Sequence, residues 1–341
     1  MAREIAHALF LVAKGLSYRQ SARLAREKAN RIIYRHENTW RLFGRAGRRN
    51  PNLDGQIVAN WVDVFGPVVC DGALPTYWPE RIAVDGKGFL NIRSGVSKRA
   101  GMGWNLLTAV GYEGNDNTGK IWRLLAVPTH QIPDWVELFE GLRGTPDLIV
   151  ADMEDGIRTA ANQVFPRPGQ DAPVFYNCED HIKRNIKDKL PAQIRNDKEH
   201  PLMRSLYWSL SSTADWDSFK KLLHNQLAQT PRPLINQFLS THEPSIRAQI
   251  PTRHRIGPYS IGGPENVQRE IEGMLYTRSA LMTNAPRANK LLGLLQLGMN
   301  GEANEIAWAE KIRSYLERHA GRAPLPQRPH DDPRDHWSLV S

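Results

Sequence analysis

Two aspartates stand where a carboxylate is costly. Asp85 closes the apolar run Ile82-Ala83-Val84 and precedes Gly86, and Asp152 follows Leu148-Ile149-Val150-Ala151. Such a group needs an ion pair, hydrogen bonds or a cation before it can be buried. Both runs read as strands, and two carboxylates at the ends of neighbouring strands repel each other. A divalent metal between them removes that conflict, which points to metal-dependent chemistry. Each aspartate alone also suits a turn or a helix cap; Asp152, just ahead of Glu154-Asp155-Gly156, is the clearer instance.

Other motifs carry less. Cys178 and His181 have the spacing of half a zinc site, but the second cysteine, Cys70, has no His or Cys neighbour, which argues against a structural zinc. Gly114 to Ile121 nearly fits a phosphate-binding loop. Its last position lacks the Ser or Thr hydroxyl that magnesium needs, and its setting is strand-turn-strand. It reads as a hairpin turn.

The elements that must position the aspartates follow from periodicity. Three strand-like stretches beginning near residue 80 (RIAVDGKGFLNI, GWNLLTAVGYEG, GKIWRLLAVPT) form a meander. A helix (PDWVELFEGLRG), a strand (PDLIVADM), a helix (EDGIRTAANQVF) and a strand (APVFYNCEDH) complete the set. This is the element order of an RNase H-like core, an α/β (α+β) fold.

The run from Leu148 to Pro166, followed by VFYNCEDHIKRNI, resembles the signature of mutator-type DDE transposases, a group shared by bacterial insertion sequences and eukaryotic mutator-like elements. The matching residues are Asp152, Gly156, Ala160, Cys178, His181, Arg184 and Asn185, and Val84-Asp85-Gly86 matches the setting of the first family aspartate. The likeness extends over most of residues 80–315. It implies a third acid on a late helix behind a Gly-rich approach. Glu265, after Gly262-Gly263-Pro264, fits best; Glu270 and Glu272 compete, and Glu265 also suits a helix cap. The resemblance further implies that Cys178, His181 and Asn185 support the active site, with His181 contacting DNA phosphate or the carboxylates. Cys178 also reads as a buried small apolar residue. Lys183, Arg184 and Lys187 would meet DNA phosphates. The implied chemistry is cutting and joining of transposon-end DNA, with Asp85, Asp152 and Glu265 holding two Mg²⁺ or Mn²⁺ ions about 3.5–4 Å apart. Double-stranded DNA, at the transposon ends and the target, is the expected partner, and joining two ends implies a homodimer or higher oligomer.

The 341 residues carry a net charge of +9. Residues 1–50 hold 12 basic and three acidic residues, so the whole excess lies there. That concentration suits a polyanion. Ile5, Leu9, Val12 and Leu16 share a helical face, Gly15 breaks it, and Ser17 with Gln20 forms a capping box for a second helix from about Tyr18 to Ile33. Helix, turn and capped basic helix is the helix-turn-helix pattern, which would present Tyr18, Arg19, Gln20, Arg23 and Arg26 to DNA, with Arg48 and Arg49 on a basic arm. A packing αα-hairpin is the plainer alternative.

The expected organisation is therefore a DNA-binding segment (1–50), a linker (51–79), the first part of a core (80–186), a helical insertion (187–250), C-terminal core helices (251–319) and a disordered tail (320–341) rich in proline. Two cysteines exclude a disulfide scaffold, and no apolar run is long enough for a membrane span. No signal-peptide pattern is evident, so a cytoplasmic, nucleoid-associated protein is expected. Two rivals use the same features: a catalytically silent DNA-binding regulator, and a nuclease that cuts without joining.

Overall fold

A computed structural model describes residues 1–35, 54–89, 103–114, 118–167, 169–226, 233–255, 261–276, 280–281, 284–319 and 338–339. The chain is a mixed α/β protein built on a five-stranded mixed sheet. Strands β1 (Arg81–Phe89), β2 (Trp104–Tyr112) and β3 (Lys120–Val127) form an antiparallel meander; β4 (Leu148–Ala151) and β5 (Val174–Asn177) continue it in parallel, giving the order β3-β2-β1-β4-β5. All seven elements expected between residues 80 and 181 are present.

Three helices precede the sheet: α1 (Ala2–Ala13), α2 (Tyr18–Arg35) and α3 (Gly55–Cys70). Helices α4 (Ile132–Glu140) and α5 (Asp155–Val164) connect its later strands. Beyond it run α6 (Glu179–Asp188), α7 (Ala192–Arg195), α8 (Pro201–Trp208), α9 (Thr213–Gln226) and α10 (Pro233–Gln249). A 3₁₀ segment (Ile250–Arg255) leads to α11 (Gly262–Tyr276), α12 (Ala285–Met299) and α13 (Glu305–Arg318). Among the described residues, no helix is long and apolar enough to cross a membrane.

One sheet face, through Val84, Leu107, Ala109 and Ile149, packs on Trp135, Leu138 and Phe139 of α4 and on Ile157 and Ala160 of α5. The opposite face meets α11 and the helices α1, α2, α3, α12 and α13, which share one core with Trp104, Leu106 and Leu124. Both faces being covered, all nine residues of β2 are buried. β3 lies at the edge, where α12 meets its free backbone groups. Asn289 and Asn300 each exchange a pair of hydrogen bonds with the strand, at Ala126 and Ile121, and Gln296 Nε2 donates to the Ile121 and Trp122 carbonyls. This row of side-chain amides closes an edge that would otherwise invite further pairing.

The expected linker is corrected. Residues 55–70 form α3, capped by Asp54, whose carboxylate accepts from the Ile57 N–H at 3.0 Å. Val58, Val62, Phe65 and Val69 face the core at helical spacing. Trp78, also assigned to the linker, is buried and donates from Nε1 to the Phe139 carbonyl. The first helices are likewise no detached segment: Ile5, Leu9 and Val12 are buried in the main core. Lys28 of α2 and His7 of α1 both reach Glu305 on α13, at 2.5 and 2.9 Å. The Ser17–Gln20 capping box is formed.

Helices α7 to α10, in the span expected as the insertion, gather a separate cluster around Trp216, Phe219, Leu202 and Ile246, and α6, expected in the core, joins it through Ile182 and Ile186. The expected tail lies outside the described residues, apart from Ser338–Leu339, which pair with Ala280–Leu281.

Candidate active site

The parallel pairing of β1 with β4 runs Arg81↔Leu148, Ile82↔Ile149, Ala83↔Val150. Continued by two residues, it sets Asp85 level with Asp152, on strands about 4.8 Å apart. Side chains alternate, so both aspartates share the face of Ala83 and Val150. That face receives α11 through Ile261 and Val267. Gly263 permits the approach, since a Cβ there would lie 2.5 Å from Tyr112 Oη. Glu265 sits in the first turn of α11 and thereby joins the two aspartates.

The electrostatics record the convergence. Asp85 is pushed up to about 7, first by burial and then by the charges of Glu265 and Asp152; the Gly86 N–H and the Gln268 amide oppose the rise. Gln268 is 3% exposed, and its Nε2 meets no acceptor at full hydrogen-bond geometry. Among the described residues, two basic side chains stand close. His181 Nε2 lies 3.9 Å from Asp152 Oδ2 and 3.7 Å from Glu265 Oε1, and Arg184 lies 3.7 Å from Glu265 Oε1. His181 Nδ1 is buried without a hydrogen-bond partner.

The competing acids are elsewhere engaged. Glu270 is exposed, and Glu272 is held by Lys87 at 2.5 Å. Cys178 is fully buried, and burial pushes its thiol up to about 11. Its backbone N–H donates to Ala151, and its Sγ accepts from Ile261 N–H at 3.4 Å. The residue therefore ties the end of β4 to the start of α11, which fixes Asp152 relative to Glu265.

No protein-family model and no curated protein matches this chain. The donor set is three carboxylates, hard oxygen ligands of the kind Mg²⁺ and Mn²⁺ prefer. Their mutual repulsion, felt most at Asp85, is what a bound cation would relieve. Among the described residues, no three His, Cys, Asp or Glu side chains stand gathered at ligand spacing.

The residues expected to meet DNA divide. Arg19, Gln20, Arg23 and Arg184 are exposed, and Arg26, Lys183, Lys187 and Asn185 are half-buried. Tyr18 is corrected: at 9% exposure it belongs to the core and offers no edge to a base. Its place opening α2 follows the capping box, but the apolar ring turns inward. Gln20 is occupied by its capping bonds, and Arg23 lies 4.0 Å from Glu27. Lys183 reaches Glu179 at 3.5 Å and covers the Tyr207 ring. Arg48 and Arg49 lie outside the described residues.

Three neighbours escaped the sequence reading. Gln268 is one helical turn after Glu265, a spacing that places both on one face of α11. Glu154, two residues past Asp152, carries a raised pKa, from burial first and also from Asp152, against the opposing charge of His130 at 3.7 Å. His130 packs so tightly on β1 that a Cβ at residue 86 would lie 1.9 Å from its Nε2. The glycine after Asp85 was the available signal.

Proposed function

We propose that this chain is a DDE transposase that cuts and joins DNA at its active-site carboxylates. The observation that carries the reading is the approach of Asp85, Asp152 and Glu265, remote in sequence, to one another on one face of the sheet, beside the interior strands β1 and β4. The strand order β3-β2-β1-β4-β5, with its antiparallel meander and parallel extension, supports an RNase H-like core. The separate helical cluster between β5 and α11 supports an insertion placed between the second and third acids.

Asp85, Asp152 and Glu265 would hold the divalent cations. When bound, these supply a low-pKa water and charge stabilisation at the phosphorus. The chain's own residues do the rest. His181 Nε2 stands within 4 Å of two of the carboxylates, Asp152 and Glu265. Arg184, more than half exposed beside Glu265, offers a guanidinium to a DNA phosphate. The buried Gln268 amide stands beside the Asp85 carboxylate and favours its charged form. A Ser or Tyr nucleophile is not needed, because water makes the first attack and the freed 3′-hydroxyl the second. The exposed arginines of α2 and a dimeric or larger assembly would hold the DNA ends, within the cytoplasm at the nucleoid.

The test uses a plasmid carrying the DNA that flanks the coding region, with the intact chain and Mg²⁺ or Mn²⁺. Nicked and joined products are expected, and both should vanish in Asp85→Asn, Asp152→Asn and Glu265→Gln. Nicks without joining would mean a nuclease. Metal-independent binding alone would mean a regulator.

A further inference from the structure

A cleft of about 590 Å³ opens beside Asp152, between α6 and α10. Asn185 and Lys189 line one wall, and Gln237, Phe238 and Thr241 the other. We propose that this cleft takes an unpaired nucleotide of the DNA strand next to the scissile phosphate; the inference rests on the reading of function above.

His181, Asn185 and Lys189 recur at every fourth residue and so form one stripe, in steps of about 6 Å. The stripe starts at the carboxylates, which His181 touches, and ends inside the cleft. A strand bound at the acids is thereby led between α6 and α10. The volume lies within the ~300–1,000 Å³ of sites that enclose a small ligand, a scale that admits a nucleotide and not a duplex.

The lining suits that occupant. Leu234 stands exposed at the rim and gives an apolar edge for a base, above Phe238 and His242, whose rings pack with centroids 4.8 Å apart at the cleft floor. Asn185 and Gln237 both line the cleft, and their side-chain amides offer the donors and acceptors that read a base edge. Lys189 Nζ sits 4.8 Å from the Phe238 ring and supplies a cation for a backbone phosphate.

The test measures binding by the full chain in metal-free buffer with chelator, so that no cleavage intervenes. The probes are a blunt duplex and the same duplex with a single-stranded overhang carrying 2-aminopurine. The overhang should bind about tenfold more tightly. Thr241→Trp, which fills the cleft from an exposed helix position, should bring the overhang-to-blunt ratio to about one. Gln237→Ala, also at an exposed position, should lower it partway. Equal binding of both probes by the unaltered chain overturns the assignment, as does a preference that survives both substitutions. A mononucleotide that competes as well as the unlabelled overhang assigns the cleft to free nucleotides and overturns the strand reading. The two proposals fail separately: lost cutting and joining with the preference intact removes the transposase reading, and the reverse removes only the cleft.

Discussion

Asp85 is the most strained group of the site. Its pKa rises from 3.8 to about 7, so between those values the folded chain holds a proton that the unfolded chain has released. The contribution of Asp85 to stability therefore falls as pH rises through that window and stays lost above it. Three units correspond to about 4 kcal/mol as an upper bound. Asp85→Asn should be more stable than the unaltered chain at about pH 8, with the difference vanishing toward pH 3; denaturant titrations in metal-free buffer measure it. Saturating Mg²⁺ should narrow the gap at high pH, because a cation bound to the native acids stabilises them by mass action. Cys178 and Cys70, pushed up to about 11 and about 12 and both buried, should resist alkylation at neutral pH until the protein unfolds. Rapid native labelling of either would contradict the packing described here.

At the scale of elements, helix α11 brings Glu265 to the two aspartates, and its approach to the sheet depends on Gly263. Gly263→Ala would place a methyl group against the Tyr112 hydroxyl and should cost about 1–3 kcal/mol. In a Tyr112→Phe background the same substitution should cost much less, a coupling that a double-mutant cycle reads directly. The insertion is anchored with equal economy. Glu179 is buried, takes Arg253 Nε at 2.6 Å and accepts from Tyr176 Oη at 2.9 Å. Gln249 adds hydrogen bonds to Asn177. Glu179→Ala leaves Arg253 without its carboxylate and should destabilise the fold by about 3–5 kcal/mol in thermal or denaturant melts. Because these contacts join the end of α10 and the 3₁₀ segment to β5 and α6, the loss should fall on the junction between insertion and sheet. Proteolysis there would be the sensitive readout.

For the whole molecule, the first helices are part of the core and not an appendage. Ile5, Leu9 and Val12 are each buried, and burial of such side chains contributes about 1.5–3 kcal/mol apiece. Three of them alone approach the whole margin of a typical domain, about 5–15 kcal/mol. A chain lacking residues 1–50 should therefore fail to fold cooperatively, with loss of the sharp thermal transition and of near-ultraviolet dichroism. A truncated chain that melts like the intact one would restore the separable segment expected from charge alone. The basic residues described on α1, α2 and the turn between them, Arg3, Lys14, Arg19, Arg23, Arg26 and Lys28, thus lie on a structural layer. DNA held there would be held rigidly with respect to the carboxylates.

The sequence by itself determined the strands, the helices joining them, the Ser17–Gln20 cap and the unusual settings of Asp85 and Asp152. These are local matters: alternation, helical period and the cost of a carboxylate in an apolar run act within a few residues. It left α3 hidden, because Gly66-Pro67 and the prolines nearby punctuate a stretch whose helical period, Val58 to Val69, is satisfied by α1, α2, α12 and α13 packing against it. It also left three glutamates competing on α11. Only tertiary structure decided among them, by turning Glu265 to the aspartates, Glu272 to Lys87 and Glu270 to solvent. The inward turn of Tyr18 and the cleft beside Asp152 were decided in the same way. Each depends on which surfaces meet across long sequence separations, and local preference carries no record of that.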